Sequence, residues 1–368
     1  MKGWGRTKVP WRVWSRVVGS LLRFRRVGYL VVFVTSRCNL RCPFCLLSFQ
    51  PPSRRDELTL DEFRLVARKL GPLVQLSLTG GEPFLRPDLP EVAGILLQQT
   101  RAPFVSVPTN GWFTDRITTF VREVLPQFPD SSFRLVVSID ALGEEHDRLR
   151  GSPGTFQRAL DTSRALLELR RSHSNLVVDA NAVVHTLNLE RLPETLETLH
   201  RTIGFDNISL TWARGGLPNP SSNPDSLQAY LTQVETLRRL RGPQPRRALS
   251  SIWRAVAQVT REGVAQVLAG GGLPAPCVAG RNLVVLRQDG EVLPCEMLDC
   301  SLGNLLEYAG DLESLLASSR ARALTRWIRQ SGCACTYECA MSASVVWNLR
   351  RWPRVLQVIP GQIVKGGP

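Results

Sequence analysis

The sequence predicts an α/β protein, a partial (β/α)6 TIM-like barrel followed by a small cysteine-rich C-terminal domain. Three observations carry that reading. From Tyr29 to about Leu240, short β-branched apolar segments alternate with amphipathic helical stretches. Apolar strands separated by helices in this way belong to a parallel sheet with helical crossovers. The nine cysteines fall into two groups separated by more than two hundred residues. The 368 residues, 43% apolar and 21% charged, suffice for one large domain with an appendage.

The elements follow in order. Leu30–Thr35 is the first strand, and Leu60–Leu70 repeats apolar residues at helical spacing. Strand Val74–Leu78, helix Leu89–Gln98, strand Phe104–Val107 and helix Asp115–Leu125 continue the alternation. Strand Phe133–Ile139, helix Thr155–Arg170, strand Leu176–Val184, helix Glu190–Ile203 and strand Asn207–Trp212 complete six strands. In such a barrel the chemistry belongs on the loops at the carboxyl ends of the strands. Gly215–Pro224 is a Gly/Pro/Ser-rich loop, and the basic, proline-interrupted Arg239–Arg247 marks a boundary. A helix around Ile252–Leu268 and a Gly270–Pro276 break lead into the second cysteine group. The expected division is a basic amphipathic segment (1–28), the barrel (29–240), a linker and helix (241–275), the cysteine domain (276–345) and a Trp/Arg tail (346–368).

Charge is unevenly spread. Forty-six Lys plus Arg against 32 Asp plus Glu give +14, and residues 1–26 alone supply +8 of it with no acid. Charge packed locally suggests a docking surface and argues against a general nucleic-acid footprint. The longest apolar runs, such as Tyr29–Val34, are too short to cross a bilayer. Arg25-Arg26 ahead of Val27–Val34 imitates a twin-arginine export signal, but that apolar stretch runs directly into the first cysteines. The odd number of cysteines in two tight groups points to metal ligation in a reducing compartment, so the expected location is the cytoplasm.

Cys38, Cys42 and Cys45 have C-x3-C-x2-C spacing directly after the first strand. Thiolates are the usual ligands of iron–sulfur clusters, and three on one loop leave the fourth iron of a cubane open. A zinc knuckle is the alternative, but it normally takes a fourth Cys or His at short range, and none lies nearby.

These residues resemble the radical S-adenosylmethionine (SAM) superfamily, whose C-x3-C-x2-C loop follows the first strand of a partial barrel. Phe44 matches the aromatic preceding the third cysteine. Gly80-Gly81-Glu82-Pro83 resembles the GGEP motif, Thr109-Asn110-Gly111 the TNG segment, and Ser138-Ile139-Asp140 the polar end of the fourth strand. His146–Gly151 is similar to the HDxxRG stretch. The resemblance implies a SAM-binding [4Fe–4S] cluster on Cys38, Cys42 and Cys45. It also implies SAM contacts from Phe44, Gly80, Gly81, Glu82, Asn110, Ser138 and Asp140, with Arg150 meeting the SAM carboxylate. Reductive cleavage of SAM would yield a 5′-deoxyadenosyl radical that abstracts substrate hydrogen. A one-electron reductant such as a flavodoxin or ferredoxin is the implied partner.

The second group is similar to the auxiliary-cluster extension called SPASM, or its shorter form, twitch. Six cysteines are too few for two clusters, so one auxiliary [4Fe–4S] cluster is expected. Its ligands would be Cys277, Cys295, Cys335 and Cys339, with Cys333 as the competitor of Cys335. Cys300 is expected to be a small buried hydrophobe, and a zinc site from the same residues is the alternative. The resemblance implies an electron-relay role for the auxiliary cluster.

At the ends, Trp11, Trp14, Val17, Val18, Leu21 and Leu22 recur at helical spacing with arginines on the other side. That pattern suits a helix at a membrane interface, at the inner face, or one packed on the barrel. The Trp347–Ile359 stretch repeats it. Three readings of function follow: modification of a peptide or a small natural-product or cofactor precursor, the same chemistry on a lipid, or a non-enzymatic iron–sulfur protein binding RNA. Trp212, Arg214 and Asn181 face the expected cavity mouth.

Overall fold

The computed structural model describes residues 19, 26–45, 57–213, 226–240 and 248–364. The helix expected over residues 11–22 (Gly19 apart), the Gly215–Pro224 loop, Arg214 and the connector beyond Leu240 lie outside them.

Six parallel strands run in chain order across one sheet: β1 (Tyr29–Thr35), β2 (Gln75–Gly80), β3 (Phe104–Thr109), β4 (Ser132–Ser138), β5 (Leu176–Val184) and β6 (Asn207–Trp212). The crossovers are α1 (Leu60–Lys69), α2 (Leu89–Thr100), α3 (Thr114–Val124), the pair α4 (Gly143–Arg150) and α5 (Thr155–Leu169), and α6 (Leu192–Thr202). α1 starts where the sequence writes a capping box, with Thr59 accepting from the Glu62 N–H and Glu62 closing back on the Thr59 N–H.

Strand alternation sorts the two faces of the sheet. Leu30, Val32, Val34, Leu76, Leu78, Val105, Val107, Leu135 and Val137 pack outward into one core with α1, α2, α3, α5 and α6, while Leu149 of α4 packs with Phe44 and Ala141. The inner face is polar over most strands. Ser77 and Ser106 share a hydrogen bond at 2.9 Å, and Arg134 pairs with the fully buried Asp179, which also accepts from Asn207 Nδ2 at 3.1 Å. This is the lumen side of the sheet, and its polar side chains pair with one another across neighbouring strands.

The cysteine-rich region is not set apart from the barrel. β7 (Leu283–Leu286) lies parallel to β1 on its free edge, and β8 (Glu291–Leu293) and β9 (Gly303–Asn304) continue antiparallel, giving one nine-stranded sheet. Tyr29, Val31 and Phe33 of β1 pack inward against α8 (Ala248–Leu268) and α11 (Glu338–Val346), with α7 (Leu227–Leu240) preceding them. α9 (Leu312–Ala317) and α10 (Ser319–Gln330) fill the span between. The C-terminal Trp/Arg stretch docks on this body: Trp347 and Val355 are buried, and Arg354 of α12 (Trp352–Val364) meets Glu262 of α8 at 2.9 Å. Among the described residues, no helix is long and apolar enough to cross a membrane.

Candidate active site

The Cys38–Cys45 loop leaves the carboxyl end of β1 and is tied to other strand ends. Asn39 Oδ1 accepts from Asn110 Nδ2 at 2.9 Å, the Arg41 N–H donates to the Arg150 carbonyl at 3.3 Å, and the Cys45 N–H closes a turn on the Cys42 carbonyl at 3.2 Å. Leu40 and Phe44 anchor the loop by burial. The Phe44 ring stacks on His185 at 4.3 Å between centroids, and the Arg150 guanidinium stands 5.5 Å from the same ring.

The glycine pair after β2 exists for contact with this loop. A Cβ on Gly81 would lie 2.0 Å from the Arg37 carbonyl oxygen, and one on Gly80, at φ +142°, 2.2 Å from that of Thr35. Only glycine allows so close a backbone approach. The next residue, Glu82, is 1% exposed. One of its oxygens accepts from Thr109 Oγ1 at 2.8 Å and the Phe84 N–H at 3.2 Å, the other from the Asn110 N–H at 2.7 Å. Burial lifts its carboxyl to about 7 in spite of these donors. A carboxylate oxygen accepts about two hydrogen bonds, so the second oxygen keeps room for one more.

The HDxxRG stretch divides its labour. Arg150 Nε donates to Asp140 Oδ2 at 2.6 Å, and Asp140 Oδ1 accepts from the Val183 N–H at 2.8 Å. His146 Nδ1 accepts from the Asp140 N–H at 3.1 Å, so that ring is neutral, and burial pushes its pKa down to about 4. Asp147 accepts from the Gly154 and Phe156 N–H groups, holding the start of α5. Gly151 ends α4 at φ +73°, against the Arg41 carbonyl. The motif thus reaches the cysteine loop through the Arg150 carbonyl on the Arg41 N–H, the Arg150 guanidinium over Phe44 and Gly151 against the Arg41 carbonyl, while Asp140 holds Arg150 in place.

Burial raises the Cys38 thiol and lifts that of Cys42 to about 11, while Arg150 beside them favours the thiolate. The charge of Cys45 acts on both, which places the three sulfurs in one electrostatic neighbourhood. Among the described residues no three His, Cys, Asp or Glu side chains are already drawn to a metal-binding point. The donor set itself fits a cubane with one iron left over. The surroundings fit a polar cofactor: both ring nitrogens of the buried His185 lack partners, and Arg150 Nη2 meets Asp140 at 2.6 Å without hydrogen-bond alignment. Ser138 lies on the inner face of β4, opposite Asn181 in register.

In the second group, burial raises the thiols of Cys277 and Cys295, the neighbouring Cys335 raises both further, and the raised thiol of Cys333 feels Cys277 and Cys335. Cys339 stands beside the buried phenols of Tyr29 and Tyr337. Cys300 is exposed, against the expectation of a buried hydrophobe, because the chain has left β8 at Leu293 and turns outward at Asp299-Cys300 before Leu302 returns to the core. Trp212 also departs from expectation: it packs outward, edge to face with Tyr230 at 5.2 Å, and does not face the lumen. Asn181 does face it, its Oδ1 accepting from Ser209 and Thr211 at 2.9 and 3.0 Å.

Residues 32–199 match the family model described as the radical SAM superfamily. The AdoMet-dependent heme synthase of Methanosarcina barkeri is 27% identical over 286 residues, covering 74% of this chain and 78% of that protein. The PqqA peptide cyclase of Xanthomonas campestris is 29% identical over 296 residues, 76% and 69% of the two chains. Streptococcus suis SuiB bound to its precursor peptide SuiA shares the fold, with a TM-score of 0.56 and 16% identity over 84% of this chain and 70% of that one. The cysteine loop, the GGEP turn and the buried Asp140–Arg150 pair all lie within residues 32–199, so this chain carries a radical SAM domain, with a cysteine-rich C-terminal region after it.

Proposed function

We propose that Cys38, Cys42 and Cys45 ligate the SAM-binding cluster and that the enzyme abstracts hydrogen from an unactivated C–H bond of a peptide, or of a small natural-product or cofactor precursor. When bound, cluster and cofactor together supply a 5′-deoxyadenosyl radical. The remaining oxygen capacity of Glu82 receives the SAM amino group, and Gly80 and Gly81 let the cofactor lie against bare backbone. Asn110 fixes the cysteine loop through Asn39, and Asp140 holds Arg150 beside Cys42 and Cys45. Phe44 and His185 wall the site, and Ser138 and the polar lumen orient the substrate. Cys277, Cys295, Cys335 and Cys339, with Cys333 as alternate, would hold an auxiliary cluster that would supply an electron relay, with a flavodoxin or ferredoxin as the electron source.

One observation carries this reading: the three-cysteine loop is hydrogen-bonded to the ends of β3 and α4, so its half-buried thiols share one corner with the buried Glu82 and Arg150. The peptide class is supported by the names of two relatives, a PqqA peptide cyclase and a SuiB bound to a precursor peptide. Anaerobically reconstituted protein given SAM and dithionite should form 5′-deoxyadenosine and methionine. Protein with Cys42→Ala should not. Iron-loaded wild-type protein that leaves SAM intact would contradict the proposal.

A further inference from the structure

A cleft of about 1140 Å³ opens at the amino ends of β1 and β2, the opposite end of the strands from the Cys38 loop. Arg26, Lys69, Arg281, Arg322, Arg326 and Arg329 line it, against one described acid, Glu313, which Arg26 already holds at 3.2 Å. Arg322, Arg326 and Arg329 sit four and three residues apart along α10, so they share one face, and all three are exposed. Like charges at that spacing cost a helix stability until something neutralises them. Arg281 is partly desolvated, and Arg329 presses on it with the same sign.

The position of the cleft narrows its partner. Two of its lining residues, Pro276 and Gln330, stand next to Cys277 and three residues before Cys333. Arg281 lies within electrostatic range of Cys277. The basic wall therefore lies beside the second cysteine group. Leu70, Leu73, Leu312 and Leu316 add an apolar floor. We propose that this cleft is the docking site of an acidic one-electron carrier protein, which delivers its electron through the auxiliary cysteines. This rests on the auxiliary-cluster reading above. The balance is simple: the carrier is oxidised by one electron, a [4Fe–4S] cluster goes from the 2+ to the 1+ state, and no atom moves. Small electrostatic interfaces serve such transient redox encounters, and charge complementarity mainly sets their rate.

The test compares wild type with an Arg322→Glu/Arg326→Glu/Arg329→Glu variant of the full reconstituted chain. Each receives electrons either from an acidic flavodoxin with its reductase and NADPH or from dithionite, and 5′-deoxyadenosine is followed. Flavodoxin-driven formation should fall by roughly tenfold or more, with the dithionite-driven rate unchanged. Flavodoxin binding, measured separately by titration calorimetry, should weaken with salt for wild type and be lost in the variant. Unchanged flavodoxin-driven turnover and binding would overturn the proposal. So would equal loss with both reductants, or a variant that loses a poly-glutamate peptide while keeping flavodoxin. Absence of 5′-deoxyadenosine from wild type with dithionite would sink the catalytic reading alone, and the binding arm would still decide the docking site.

Discussion

Arg150 Nε and Asp140 Oδ2 lie 2.6 Å apart in a buried pair that joins the HDxxRG helix to the end of β4. Removing one partner leaves the other as an uncompensated buried charge, which costs on the order of 3–5 kcal/mol. Arg150→Met and Asp140→Asn should each lower the unfolding free energy, read from urea titration, by that much. The double variant should lose clearly less than the sum, because the two changes remove one shared interaction. Additive losses would show that the pair is not a unit.

Two buried imidazoles give the fold an acid limb. His146 and His185 are both pushed from 6.5 to about 4 by burial. The unfolded chain then takes up protons first as pH falls, so the contribution is complete above about pH 6.5 and lost towards pH 4. Each ring accounts for at most about 3 kcal/mol. Glu82 runs the other way: raised to about 7, it lowers stability as pH climbs from about 4.5 through 7. Urea midpoints of His146→Gln/His185→Phe should fall less than wild type between pH 6.5 and 4. Parallel curves would contradict the assignment.

Glycines in the same fold should differ sharply in tolerance. Gly81→Ala forces a Cβ to 2.0 Å from the Arg37 carbonyl and must displace the cysteine loop. Its iron content and SAM cleavage should collapse. Gly154→Ala meets nothing within 4 Å and bears only the strain of φ +78°. It should cost about 1 kcal/mol, read from thermal denaturation, and keep activity.

The two cysteine groups should load independently. Protein carrying Cys38→Ala/Cys42→Ala/Cys45→Ala should retain one auxiliary [4Fe–4S] cluster after anaerobic reconstitution. Adding Cys277→Ala and Cys295→Ala should remove it. Iron and sulfide assays read both outcomes, and zinc in place of iron would overturn the auxiliary assignment.

The six strands were legible because each is an apolar β-branched run between amphipathic helices, and their ends placed Glu82, Asn110 and Asp140 together. Other features lay beyond local pattern. A strand does not encode its neighbour, so nothing in Leu283–Leu286 announces that it pairs with β1. Trp212 follows Ile208 and Leu210 in strict alternation with Ser209 and Thr211, so its outward face was written in the strand, and its place at a strand end pointed the wrong way. The short, highly charged α4 lacks apolar periodicity, which hid the helix that carries Arg150. His185 follows an apolar strand as a lone histidine, and only the stack on Phe44 reveals its place.

The most direct measurement is electron paramagnetic resonance of the reduced cluster in protein whose auxiliary cysteines have been replaced, with and without SAM. If one iron of the Cys38 loop awaits the cofactor, its g-values will change on SAM addition. A spectrum that SAM leaves untouched, or a loop that binds zinc instead, would contradict the account.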